Sequence, residues 1–157
     1  MIDRLIHKAI SKNLFKGKII LLLGPRQVGK TTLLHQIAEK YPQKSLWLNA
    51  DENIIRERLS NANTARLKRL AGNHKIIFID EAHRVENIGL TLKIFADTIK
   101  NVQVVATGSS AFELSDKIKE PLTGRKFEFH LFPFSLEELF NNNSEILEEM
   151  NLVNRLI

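Results

Sequence analysis

Two places in the chain carry side chains whose types and spacing suit phosphate chemistry. One is Lys30 and Thr31 at the end of a glycine-punctuated loop; the other is Asp80 and Glu81 at the end of an apolar run. Residues 24–31 read Gly24-Pro25-Arg26-Gln27-Val28-Gly29-Lys30-Thr31, a full match to the phosphate-binding pattern G-x-x-x-x-G-K-[ST]. Gly24 and Gly29 permit backbone angles and a close approach that a Cβ forbids. Successive N–H groups then turn inward at the free end of the next helix and cradle an anion. Lys30 is expected near the β- and γ-phosphates of a nucleotide. The Thr31 hydroxyl is expected on Mg²⁺, which prefers oxygen ligands, and Thr32 closes the loop.

Residues 75–81 read Lys75-Ile76-Ile77-Phe78-Ile79-Asp80-Glu81. Four apolar residues followed by two acids describe a buried strand that delivers carboxylates at its C-terminal end, where open α/β sheets bind their ligands. Asp80 is the expected Mg²⁺ anchor, partnering Thr31. Glu81 is placed to polarise an attacking water as general base. A strand-terminal acidic pair that only caps a helix is the plainer alternative.

The elements that must position these groups are legible in part. Residues 19–23 form a continuous apolar run, as a strand buried on both faces requires. From Thr31 the apolar spacing becomes helical and continues to about Lys40, before Tyr41-Pro42. An amphipathic helix is expected over 2–15, with Ile2, Leu5, Ile6, Ala9 and Ile10 inward and Arg4, His7, Lys8 and Lys12 elsewhere. Strands are expected over 45–50, 102–107 and 126–131, the last half-buried because charged and apolar residues alternate. Helices are expected over 52–71, 86–100 and 135–140, with Ser135 and Glu138 at capping-box spacing, and over the final thirteen residues. Ser109 and Ser110 follow the 102–107 strand, where a hydroxyl can contact the γ-phosphate or the attacking water, or cap the helix that begins near Ala111. The 52–71 helix carries Arg56, Arg58, Arg66, Lys68 and Arg69; these are either a solvated face partnered by Glu52 and Glu57 or a phosphate-backbone contact.

The chain has 157 residues, 43% of them hydrophobic and 26% charged, which suits one globular domain over 1–157. No apolar run approaches the roughly 20 residues needed to span a bilayer. The N-terminus lacks the order of a secretory signal. There is no cysteine, hence no disulfide framework or thiolate metal site, and a cytoplasmic location is expected. The net charge of +5 permits nucleic-acid or phosphate contacts. The five histidines show no metal-ligand spacing, and only His83, beside the acidic pair, stands apart from a structural reading. The apolar end of the chain points to the N-terminal part of a longer polypeptide.

Taken in order, GPRQVGKTTLL from Gly24, FIDEAH from Phe78, TGSSAFEL from Thr107, LTGR from Leu122 and LFPFSLEEL from Leu131 closely resemble the ATPase domain of a prokaryotic AAA-superfamily group. Its members usually carry a further C-terminal domain of unknown function. The resemblance spans nearly the whole chain. It implies a three-layer αβα P-loop NTPase fold with a parallel five-stranded sheet of the additional-strand type. In that fold the 102–107 sensor strand lies between the Walker A and Walker B strands. It implies ATP and Mg²⁺ as ligands, Ser109 as the sensor-1 polar group, and Arg125 as an arginine sensor or finger that stabilises transition-state charge. Many relatives carry Gln where this chain has His83.

ATP hydrolysis driving a conformational change, with weak basal turnover, is therefore the leading expectation, and Glu81 is the reason to expect hydrolysis rather than transfer. Asp80-Glu81-Ala82-His83 also spells the box of a helicase class, but such helicases need two motor domains. A small-molecule kinase needs an arginine-rich lid, and a GTPase needs N-K-x-D; neither is present. The non-enzyme alternative is a nucleotide-dependent binding module, contacting a protein partner, a second copy of itself or nucleic acid.

Overall fold

Five consecutive apolar residues, Ile19 to Leu23, can all be buried only in a strand covered on both faces. In the structure every one of them is 2% exposed or less. The computed structural model describes residues 4–108 and 119–142. In chain order it contains α1 (Leu5–Asn13), β1 (Ile19–Leu23), α2 (Lys30–Ala38), β2 (Ser45–Asn49), α3 (Asn53–Leu59), α4 (Thr64–Ala71), β3 (Ile76–Asp80), a 3₁₀ turn (Ala82–Arg84), α5 (Ile88–Thr98), β4 (Gln103–Gly108), β5 (Lys126–His130) and α6 (Leu136–Asn142). The strands form one sheet in the order β2-β3-β4-β1-β5, with every pairing parallel. β4 thus lies between β1 and β3, as expected from the resemblance.

The pleat sends alternate residues to opposite faces, and two cores result. Leu21, Leu23, Ile77, Ile79, Val104 and Ala106 meet Leu59, Leu67, Ala71, Leu92 and Phe95 from α3, α4 and α5. Ile20, Leu22, Phe78 and Val105 meet Ile10 and Leu14 from the α1 region and Leu33, Leu34 and Ile37 from α2. Helices on both faces are what allow the central strands to be apolar throughout. β5 is an edge strand joined only to β1, which accounts for its alternating Lys126, Glu128 and His130.

The expected single helix over 52–71 is two helices. α3 stops at Leu59, Asn61 takes φ +50°, and α4 restarts at an Asn63 cap whose side chain accepts from the Arg66 N–H. The break lets both Leu59 and Leu67 reach the same core, and the Thr91 hydroxyl ties it to α5 by donating to the Leu59 carbonyl at 2.7 Å. Asn63→Ala is expected to cost about 1 kcal/mol, the usual value of a lost N-cap, read as a lowered denaturation midpoint at unchanged slope. α1 also differs from expectation. Ile10 is buried, Leu5 is 46% exposed, and Arg4, expected outside, is 8% exposed. The capping box forms as expected: Ser135 Oγ accepts from the Glu138 N–H, and the Glu138 carboxylate accepts from the Ser135 N–H. The expected C-terminal helix and the helix from Ala111 lie outside the described residues.

Candidate nucleotide site

The sheet brings the two chemical stretches together at the C-terminal ends of β1 and β3. Thr31 Oγ1 donates to Asp80 Oδ2 at 2.8 Å, joining residues 49 positions apart. Asp80 is buried, and its other oxygen accepts from the Glu81 N–H at 3.2 Å and from the Thr107 hydroxyl. Thr107 Oγ1 in turn accepts from the Glu81 N–H at 3.1 Å. β4 lies between the other two strands, with Thr107 in register with Leu22, so its hydroxyl fixes the Asp80 carboxylate from below. The Thr31 and Asp80 oxygens form a hard-oxygen pair of the kind Mg²⁺ takes when phosphate and water supply its remaining ligands. Their chemistry therefore fits that ion.

Within the loop, Gln27 has φ +60° and Gly29 has φ +97°, which turns the chain into the start of α2. At Gly24 the close approach that a Cβ forbids is made by the chain's own backbone. A Cβ there would stand 2.3 Å from the Leu131 carbonyl oxygen, because β5 runs directly past the loop and the Leu131 N–H donates to the Leu23 carbonyl at 2.7 Å. Lys30 Nζ lies inside the curve of the loop and donates to the carbonyls of Gly24 at 3.0 Å and Pro25 at 2.7 Å. Burial lowers its pKa from the ordinary lysine value, and the charges of Glu81 and Asp80 act against that shift.

Glu81 occupies a left-handed backbone conformation, φ +54°, which a non-glycine residue adopts at a cost of order 1–3 kcal/mol. The turn swings its side chain out of the strand line and over an open cavity of about 500 Å³, walled by Arg26, Gln27, Gly29, Lys30, Thr31 and Thr32. Glu81 Oε2 is buried and has no hydrogen-bond donor among the described residues; His83 Nδ1 is 3.5 Å away. Asp51 and Arg84 close the same cavity, paired at 2.7 Å.

Other expected residues fall elsewhere. Arg125 is not brought to the loop. It precedes β5, and its main-chain oxygen accepts from the Ile19 N–H at the start of β1, roughly 15 Å along the strand from Gly24. Its guanidinium holds Asp97 at 2.6 Å and keeps that carboxyl below its ordinary range. Ser109 lies outside the described residues. Arg56 donates to the carbonyls of Ala50 at 2.6 Å and Asp51 at 2.7 Å, so it braces the β2–α3 turn through main-chain partners rather than through Glu52 or Glu57. Thr107, Asp51 and Arg84 are site residues missed from sequence. Thr107 alone left a signal, a hydroxyl near the end of an otherwise apolar strand.

A parallel sheet carrying a glycine loop, a lysine, a threonine and a carboxylate pair at one rim defines a P-loop nucleotide-binding protein. Residues 16–140 match the family model described as "AAA domain", and the chain belongs to that family. It is 30% identical over 138 residues to the protein MJ1544 of Methanocaldococcus jannaschii, covering 86% of this chain and 31% of that one. It is 36% identical over 76 residues to the replication factor C large subunit of Thermococcus kodakarensis, covering 47% of this chain and 15% of that one. Among solved structures, the Walker-type ATPase of Pyrococcus abyssi superposes with a TM-score of 0.66 at 19% identity, covering 96% of this chain and 59% of that one. The chain spans about a third of the length of MJ1544. Among the described residues no helix is long and apolar enough to cross a membrane.

Proposed function

We propose that the chain binds ATP with Mg²⁺ at the 24–32 loop and hydrolyses it, using the energy to change conformation. The observation that carries this reading is the Thr31–Asp80 contact at 2.8 Å with Glu81 turned over the same cavity. Loop amides and Lys30 hold the phosphates. Thr31 and Asp80 hold the ion, which draws charge from the phosphate oxygens when bound. Glu81 accepts the proton of the attacking water, and Ser109 orients that water or the γ-phosphate. Arg125 is paired with Asp97 at 2.6 Å rather than with the loop, so an arginine-finger role for it requires the site of a second copy, and the isolated chain turns over weakly.

Thermal unfolding tests the binding step. ATP with Mg²⁺ at 100 times its Kd is expected to add about 2.7 kcal/mol of stability, GTP less, and Lys30→Ala is expected to lose the ATP effect. A parent chain that neither nucleotide stabilises would count against the assignment.

The second reading, a nucleotide-dependent binding module, draws on α4, whose Arg66, Lys68 and Arg69 are exposed on one short helix. Nucleic-acid binding by that face would weaken steeply as salt rises.

A further inference from the structure

The phosphate cavity contains a carboxylate that neither holds the ion nor activates water. Asp51 shares its wall with the cations Arg26, Lys30 and Arg84. A cavity that takes a triphosphate gains nothing from a further negative charge, and one of those cations neutralises it: Arg84 Nε meets Asp51 Oδ1 at 2.7 Å. The main chains of both residues are fixed independently of that pair. The Asp51 N–H donates to Asn49 Oδ1 at 2.9 Å, and its carbonyl accepts from Arg56 Nη1 at 2.7 Å. The Arg84 N–H donates to the Glu81 carbonyl at 2.9 Å, and Ala82, His83 and Val85 around it are buried. The fold thus builds two anchored turns and leaves a pair of charged side chains projecting from them.

The pair is no core brace. The Arg84 and Asp51 side chains are 42% and 52% exposed, and an ion pair so open to water contributes little to stability. Arg84 also borders a second open cleft, of about 310 Å³, with Asn53, Arg56, Glu57, Ser60 and Glu86. Its guanidinium therefore has open space on both sides. A weak pair with room to move is one that a stronger anion can break. A terminal phosphate is such an anion, since it carries more charge than a carboxylate and accepts the guanidinium fork through two oxygens. Arg84 stands three residues beyond Glu81 on the same turn, at the part of the cavity that Glu81 overhangs.

We propose that Arg84 exchanges Asp51 for the γ-phosphate when a nucleoside triphosphate binds, and that this exchange is what lets the site distinguish triphosphate from diphosphate. The proposal rests on the nucleotide reading above. Without ligand, Asp51 holds the guanidinium at the cavity wall. With a triphosphate bound, Arg84 neutralises charge on the terminal phosphate, and Asp51, half exposed, is left to water at little cost. A diphosphate ends short of Arg84 and leaves the pair closed. Asp51 is thus a competitor of the terminal phosphate, and Arg84 a specificity-determining residue supplied by the same chain that carries the loop.

Calorimetric titration with Mg·ADP and with Mg·AMP-PNP, whose terminal phosphoryl group is not hydrolysed, reads the exchange. The parent is expected to bind AMP-PNP about 10-fold more tightly than ADP, the usual worth of a charge-assisted contact. Arg84→Ala and Asp51→Asn are expected to move that ratio in opposite directions, down about 10-fold and up several-fold, because one removes the phosphate's partner and the other its competitor. Asp51→Asn combined with Arg84→Met leaves the net charge unchanged. It is expected to bind ADP as the parent does and to lose about 10-fold of AMP-PNP affinity. Unliganded melting curves establish that each variant is folded, as the exposure of both side chains leads one to expect. A folded combined variant that keeps the parent's ratio reduces Arg84 to a counter-ion for Asp51 and overturns the proposal, as does a fall in the ratio for Asp51→Asn. A parent that binds both ligands equally well overturns it too, while leaving the phosphate site standing. A parent that binds neither ligand overturns the nucleotide reading itself.

Discussion

Glu81→Gln is expected to bind Mg·ATP as the parent does and to hydrolyse it about 10²–10⁴-fold more slowly, the range that a positioned general base supplies. The substitution is chosen for what it preserves. Glutamine keeps the side-chain length. Its main-chain N–H still donates to Asp80 Oδ1 and Thr107 Oγ1, so the left-handed turn at residue 81 stays anchored. What it removes is the carboxylate at the cavity, and with it the proton acceptor. Equal affinity with a large fall in rate is the signature of a group that acts in the transition state rather than in binding. Hydrolysis at the parent rate would assign the water's activation to another group, and the strain at φ +54° would then need another explanation.

Gly24→Ala is expected to be the most damaging small substitution in the loop, by about 3 kcal/mol, the upper part of the overpacking range. For a domain of this size that is roughly a 6–12 °C fall in melting temperature. The added methyl would sit 2.3 Å from the Leu131 oxygen and 3.3 Å from its carbonyl carbon. Those are main-chain atoms, and Leu131 is held by the hydrogen bond from its own N–H to Leu23, so relief requires moving the end of β5. Gly29→Ala is the control. Its φ of +97° is strained for alanine, but no heavy atom outside its chain neighbours lies within 4 Å of the added Cβ, so the expected cost is only about 1–2 kcal/mol. If the two variants melt within 2 °C of each other, the close approach of β5 does not limit the loop.

The parts of the fold that were legible in the sequence are those where local pattern and tertiary demand agree. The run at 19–23 and the run at 76–79 are apolar at every position, so burial on both faces was the only use for them. Ser135 and Glu138 formed their capping box because its two hydrogen bonds span only three residues. The 52–71 segment misled because its polarity hid the break at 60–63. The Asn63-Thr64 pair carries a helix-start signal, but Arg56 and Arg58 before it and Arg66, Lys68 and Arg69 after it read as one continuous helix. The Thr31–Asp80 contact follows from two motifs on adjacent elements of the rim.

Contacts between distant, unpatterned residues were not legible. Arg4 meets Glu138 at 3.4 Å, and the neighbouring Leu5 N–H donates to the same carboxylate across 133 positions of chain, yet no periodicity in α1 marks an arginine for burial. Asp51 and Arg84 meet because β2 and β3 are neighbours, a fact of strand order rather than of local sequence. What approaches Gly24 was hidden in the same way: the obstacle is a main-chain oxygen more than a hundred residues away, which has no side-chain signature at all.

The strand order also imposes a sequence of assembly. β1 emerges early in synthesis, yet its two neighbours are β4 and β5, so Ile20 waits for Val105 and Leu23 for His130. β2 and β3, which pair with each other, are complete well before then. The half of the sheet that carries the carboxylates can thus form while the glycine-loop strand still has open edges, and the loop-closure entropy of a long intervening chain falls on β1. Ribosomal order therefore makes Ile19–Leu23 the longest-lived unpaired strand of the domain, five apolar residues whose protection during folding must come from outside the sheet.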